Sequence, residues 1–175
     1  MHCSSIKTSQ PIPQSSNHFY FELTVVESGK DGAIGIGFTP SSSGSDSMPG
    51  WDKNSVGYHG DVGSICYESF YPTATTETFE TGDVVGCEFT RSVVENVQFA
   101  EYRFTKNGRA IGPLTVKEYT TELYPTIGFN TPGAIVRPNL GETDFTYHIK
   151  GKYYVLLHIS GGVFSTIFWR MIESL

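Results

Sequence analysis

Cysteine is scarce: Cys3, Cys66 and Cys87 are the only three in 175 residues. An odd number at wide spacing makes neither a disulfide framework nor a CxxC metal pair, and it suits a reducing compartment, cytoplasmic or nuclear. Charge is thin as well, at 17% of residues, with 12 Lys plus Arg against 18 Asp plus Glu and a net charge of −6. Nucleic-acid binding needs a basic face that releases counterions, and no basic run exists, so that partner class is excluded. There is no Asn-X-Ser/Thr sequon. Residues 1–17 are polar and proline-bearing without an apolar centre, so no signal peptide is expected. A helical repeat is missing too, since no window longer than a few residues carries a 3.6 period before residue 151.

What is present is aromatic and glycine-rich: 14% Phe, Tyr and Trp, with 19 glycines. That balance suits short strands joined by tight turns, and the length suits one domain with a full core over residues 1–150. Phe19 to Val26 reads as a strand with Phe21, Leu23 and Val25 on one face and Glu22 and Thr24 on the other. Gly29 to Gly32 is expected to close a hairpin into a second strand, where Ile34, Ile36 and Phe38 share a face. Gly35 and Gly37 share the opposite face, where a neighbouring backbone or bulky side chain should come close. Residues 41–47 are Ser/Gly-rich and expected to be mobile. Residues 64–70 and 84–89 read as strands, and Asn107-Gly108 between two strand-like runs is a strong hairpin signal. Further strands are expected at 123–129 and 134–137, for an all-β, two-sheet antiparallel sandwich.

The chain is organised around residues 48–61, Met-Pro-Gly-Trp-Asp-Lys-Asn-Ser-Val-Gly-Tyr-His-Gly-Asp. Its density of breakers forbids a helix, and it reads as a structured loop running into a short strand. Pro49-Gly50 suits the two centre positions of a type II turn. Residues 151–175 depart from this style. The stretch from Tyr153 to Ile172 is largely apolar but interrupted by His158, Gly161-Gly162 and Arg170. A last strand followed by a short packed helix is the expectation there, in preference to a membrane anchor.

Eight short motifs occur in a telling order. They are Tyr20-Phe21-Glu22-Leu23, Ile34-Gly35-Ile36-Gly37-Phe38, Pro49-Gly50-Trp51-Asp52 and Gly57-Tyr58-His59-Gly60-Asp61. Then come Gly82-Asp83-Val84-Val85-Gly86-Cys87, Phe104-Thr105-Lys106-Asn107-Gly108, Leu123-Tyr124-Pro125-Thr126-Ile127-Gly128 and Asn139-Leu140-Gly141. Together, over residues 5–149, they resemble a SPRY (B30.2-type) domain, and the Pro-Gly-Trp-Asp and Gly-Tyr-His-Gly-Asp blocks resemble the Ran-binding-protein-M branch. Residues 91–101 are longer than that branch leads one to expect, and the tail is unlike the LisH and CTLH helices that follow the domain in such relatives. The resemblance implies a concanavalin-like jelly-roll sandwich and a monomeric, non-enzymatic protein-interaction domain. Its rim loops would hold a peptide segment or protein surface, as an adaptor or scaffold linked to a ubiquitin ligase.

Partner-binding candidates follow from both readings. Trp51 either pins its loop to the sandwich, which is favoured, or meets a partner. Of Tyr58 and His59, alternation points one out and one in, and Tyr58 is taken as the partner-facing one. Asp52 and Asp61 suit Asx turns first and partner contacts second. Leu140 lies, by the resemblance, near the pocket of relatives that grip short peptides. Catalysis is not expected: Ser55, His59, Asp61 and Cys66 are near in sequence, but no Gly-X-Ser-X-Gly elbow or cysteine signature marks a nucleophile. His59, Asp61 and Cys66 lack a fourth metal ligand at recognisable spacing, and no phosphate-cradling loop is present, so neither metal nor cofactor is expected. A lectin-like carbohydrate-binding sandwich is the alternative, since fold alone does not exclude it.

Overall fold

The computed structural model describes residues 3–116, 118–119, 122–149, 151–161 and 164–174; at 75, 113–116 and 151–174 it is the backbone that is described. Among the described residues there are strands and no helix. In chain order they are β1 (Ser4–Lys7), β2 (His18–Ser28), β3 (Ile34–Pro40), β4 (Val56–His59), β5 (Ser64–Tyr67), β6 (Ala74–Thr75) and β7 (Val84–Val94). There follow β8 (Val97–Lys106), β9 (Arg109–Val116), β10 (Leu123–Phe129), β11 (Ala134–Asn139), β12 (Gly151–Gly161) and β13 (Phe164–Ser174). They form two sheets, one ordered β1-β10-β3-β4-β5-β6 and the other β13-β12-β2-β7-β8-β9 with β11 also on β2. Every pairing is antiparallel except a single parallel register of Tyr154 on Phe19. The expected two-sheet antiparallel sandwich is what forms.

Strict alternation builds the core. Phe19, Phe21, Leu23 and Val25 of β2 face Ile34, Ile36 and Phe38 of β3 across the interior, all fully buried. Phe38 is the hub, with the rings of Phe19, Phe21, Phe89 and Tyr102 centred 5.5–6.1 Å away, mostly edge-on. Removing each such side chain from water contributes roughly 1.5–3 kcal/mol. The Asn107-Gly108 hairpin is as expected: both residues have positive φ (49° and 76°), and the Asn107 side chain accepts from Val84 N and donates to Asp83.

Four expectations are corrected. Residues 29–32 do not close a hairpin, because β2 and β3 belong to different sheets; they carry the chain from one layer to the other. They lie beside the opposite crossing at 131–133, with Lys30 N donating to Pro132 O and Asp31 N to Thr131 Oγ1. The apolar faces of β2 and β3 must meet face to face across the core, which edge pairing would forbid. Secondly, residues 41–47 are tied down, since Lys7 Nζ donates to the carbonyls of Ser41 and Ser43 and Ser5 N to that of Ser45. Thirdly, β5 ends at Tyr67 instead of continuing to residue 70, where Glu68 takes a positive φ of 50°. Lastly, the tail forms a second strand in place of a helix, with β12 and β13 pairing from Gly151–Ser174 to Gly161–Phe164. Its β-branched and aromatic content favours strand over helix. No helix among the described residues is long and apolar enough to cross a membrane.

The outer face of the first sheet carries almost no side chains at its centre. Gly35 of β3, Gly57 of β4 and Gly128 of β10 make a flat floor, and the turn at 48–50 lies on it. A Cβ at Gly57 would stand 2.1 Å from Pro49 O, one at Gly128 2.6 Å from Pro49 Cδ, and one at Gly35 2.9 Å from Met48 Cε. Trp51 N donates to Met48 O across Pro49 and Gly50, whose φ is 96°, as a type II turn requires. Gly57→Ala is therefore expected to lift this loop and destabilise the domain by about 2–3 kcal/mol. That corresponds to a fall in Tm on the order of 5–10 °C, readable by thermal circular dichroism.

Candidate functional site

The loop that leaves the glycine floor is locked to a second one. Ser55 closes the first: its hydroxyl donates to Asp52 O (2.6 Å) and accepts from Gly50 N (3.0 Å). The segment after β5 then bonds to it three times. Ser69 N donates to Gly50 O (2.9 Å), Glu68 N to Ser55 O (3.1 Å), and Asn54 N to Glu68 Oε1 (2.6 Å). Residues 48–55 and 68–71 are thus one composite surface.

Trp51 sits at the joint. Its ring lies 5.8 Å from that of His59 on the buried side and 4.8 Å from that of Phe70 on the outer side. Phe70 is 70% exposed and its neighbour Tyr71 81% exposed. Two adjacent, outward-standing aromatics on a hydrogen-bonded loop are unusual for a solvated surface, where large apolar groups tend to be scattered singly. Asp52 is half-buried, and its Oδ2 has no hydrogen-bond partner among the described residues. Its carbonyl oxygen, not its carboxylate oxygen Oδ2, closes the turn. Asp61 is exposed just past β4.

Tyr58 and His59 do alternate, yet neither is exposed. Tyr58 points inward, fully buried against Phe79 and Phe104, with its hydroxyl donating to Glu77 O. Burial pushes its phenol well above the ordinary range. The expectation of a partner-facing Tyr58 is therefore corrected: the outward direction belongs to His59. That ring in turn is covered by the 48–50 turn, with Nε2 donating to Pro49 O at 2.8 Å. Desolvation holds the His59 pKa below its usual value, against the smaller opposing pulls of Pro49 O and Asp61. Burial likewise pushes the Cys66 thiol up, the reverse of what a nucleophile needs. Among the described residues no group of three His, Cys, Asp or Glu side chains is placed to hold a metal.

Leu140 is not brought to this surface. It lines a separate apolar hollow of about 210 Å³ with Ile6, Phe21, Pro125, Ile127 and Pro138, between the sheet edges at β1 and β11. Residues 91–101 are no loop but the far end of the β7–β8 ladder, turning at Glu95-Asn96 and exposing Val93 and Val94. Phe70 and Tyr71 were missing from the sequence reading. A signal was there: adjacent aromatics cannot share one face of a strand, and Pro72 follows them.

Comparison with known proteins agrees with this architecture. The SPRY domain family model matches residues 18–143. Ran-binding protein 9 of Xenopus laevis is 38% identical over 147 residues, which is 84% of this chain and 26% of that protein. The Ran-binding proteins 9/10 homolog of Drosophila melanogaster is 40% identical over 144 residues, 82% of this chain and 14% of that protein. The chain thus spans about a quarter of the length of the first of these relatives and about a seventh of the second. A crystal structure of a human SPRY domain superposes with a TM-score of 0.71 at 32% identity, covering 81% of this chain and 87% of that one.

Two measurements check the buried pair. Tyr58→Phe is expected to cost about 1 kcal/mol through the lost hydroxyl bond, and Tyr58→Ala about 3–5 kcal/mol through the cavity, both read by urea denaturation. His59, with its folded pKa depressed, favours the folded state fully above its unfolded value of about 6.5. That contribution is lost as the pH falls from there through the lower folded value. The urea midpoint of the wild type should therefore drop between pH 7.5 and 5.5, and His59→Gln, which keeps a donor for Pro49 O, should flatten that part of the slope.

Proposed function

The chain belongs to the SPRY domain family, and on that footing we propose that it is a protein-interaction module that grips a peptide segment or protein surface with its rim loops. Residues 41–61 and 68–71 carry the grip. The observation that supports this most directly is the Trp51–Phe70 pair, half-buried ring against exposed ring at 4.8 Å, on loops already fixed by backbone hydrogen bonds. A preorganised surface loses little conformational entropy when a partner binds, so its contacts convert more fully into affinity. Aromatic anchors ringed by polar groups are the usual energetic centre of such interfaces.

In a cell the module would act as an adaptor that brings a client to a larger assembly, with a ubiquitin ligase as the assembly that the resemblance suggests. Its relatives are several times longer than the matched region, which suits a recognition module within a bigger scaffold. No cofactor and no bond-making step enter the proposal. Three free thiols suit a reducing, cytoplasmic or nuclear setting.

The test is affinity capture with quantitative mass spectrometry, comparing wild type, Phe70→Ala and, on a different face, Ile135→Ser, each with its fold verified by circular dichroism. Capture of a defined protein set should fall at least about 10-fold with Phe70→Ala, as for a hot spot of about 2 kcal/mol, and stay level with Ile135→Ser. An unchanged set with Phe70→Ala removes the surface from consideration, and saturable glycan-array binding would favour the lectin alternative.

A further inference from the structure

The composite surface has an electrostatic character as well as an apolar one. Across residues 46–55 and 68–71, three carboxylates (Asp46, Asp52 and Glu68) stand against one cation, Lys53. Glu68 is engaged by Asn54 N. Asp52 Oδ2 is enclosed yet unpartnered among the described residues, in the residue next to Trp51. A carboxylate oxygen shielded from water without a donor is costly, and a native structure that keeps one calls for an explanation. The aromatic faces beside it have the complementary property, since an indole or phenyl face attracts a cation through its quadrupole.

We infer that the occupant of this surface is a protein segment that presents an arginine, its guanidinium lying on the exposed Phe70 ring that packs on Trp51 and a forked N–H directed to the Asp52 carboxylate. This rests on the interaction reading above and names the chemistry of its ligand. Arginine fits better than lysine because a planar guanidinium stacks on an aromatic ring while still directing several donors sideways to a carboxylate. The acidic balance of the chain, −6 overall, favours approach of a basic segment and disfavours an acidic one.

The experiment selects a phage-displayed random 12-residue peptide library on the full chain, then measures synthetic copies of the enriched peptides by isothermal titration. The expected result is peptides that carry arginine, lose at least 10-fold in affinity when that arginine becomes citrulline, and lose as much against Phe70→Ala or Asp52→Asn. The citrulline arm leaves the protein untouched, so a folding defect cannot imitate it. Peptides whose binding depends on Phe70 but survives the citrulline exchange would overturn the arginine assignment and leave the interaction surface standing. Peptides indifferent to Phe70 and Trp51 substitution would overturn both.

Discussion

Backbone lies against backbone at the centre of the first sheet, and the rest of the molecule's exposed architecture depends on it. Gly35, Gly57 and Gly128 come from three neighbouring strands, and their missing side chains let Met48, Pro49 and Gly50 settle on the sheet. Any Cβ there would drive into the overlying turn at distances real contacts do not reach. Interiors are packed too densely to absorb such an intrusion without moving something. The turn is consequently held from below by shape and from its sides by hydrogen bonds.

From that seat the rest of the surface follows. The turn covers His59, and the covered imidazole returns a bond to Pro49 O, so floor, ring and turn support one another. Trp51 is carried just past the covered region, where one side can pack on His59 and the other can hold Phe70. The second loop is bonded to Gly50, Asn54 and Ser55, all in the same turn, so the exposed aromatics inherit the rigidity of the sheet below. Function in such a domain needs loops, and loops position side chains well only when a scaffold fixes them. A side-chain-free patch of sheet provides that fixing here.

The strands were legible because their evidence is local. Alternation over Phe19–Val26 and Ile34–Phe38 assigns each residue a face, and Asn107-Gly108 and Pro49-Gly50 announce their turns within four residues. The presence of something close to Gly35 and Gly37 was readable too, since two glycines on one strand face imply a near neighbour. The identity of that neighbour was not readable for Gly35, because Met48 and Pro49 reach it only after the sheet is assembled. The same holds for the crossover at 29–32. A turn between two strands has much the same chemistry whether they pair edge to edge or stack face to face, and only the partners elsewhere decide.

By itself the sequence determined the all-β class, the position of most strands, the turn types and the family, because each rests on residues near in the chain or on ordered motifs. Tertiary structure alone decided that Tyr58 and His59 are both enclosed, that 41–47 is tied to β1, and that Phe70 and Tyr71 stand out beside Trp51. The physical reason is that alternation tells which way a side chain points, whereas exposure depends on what other parts of the chain come to lie over that face.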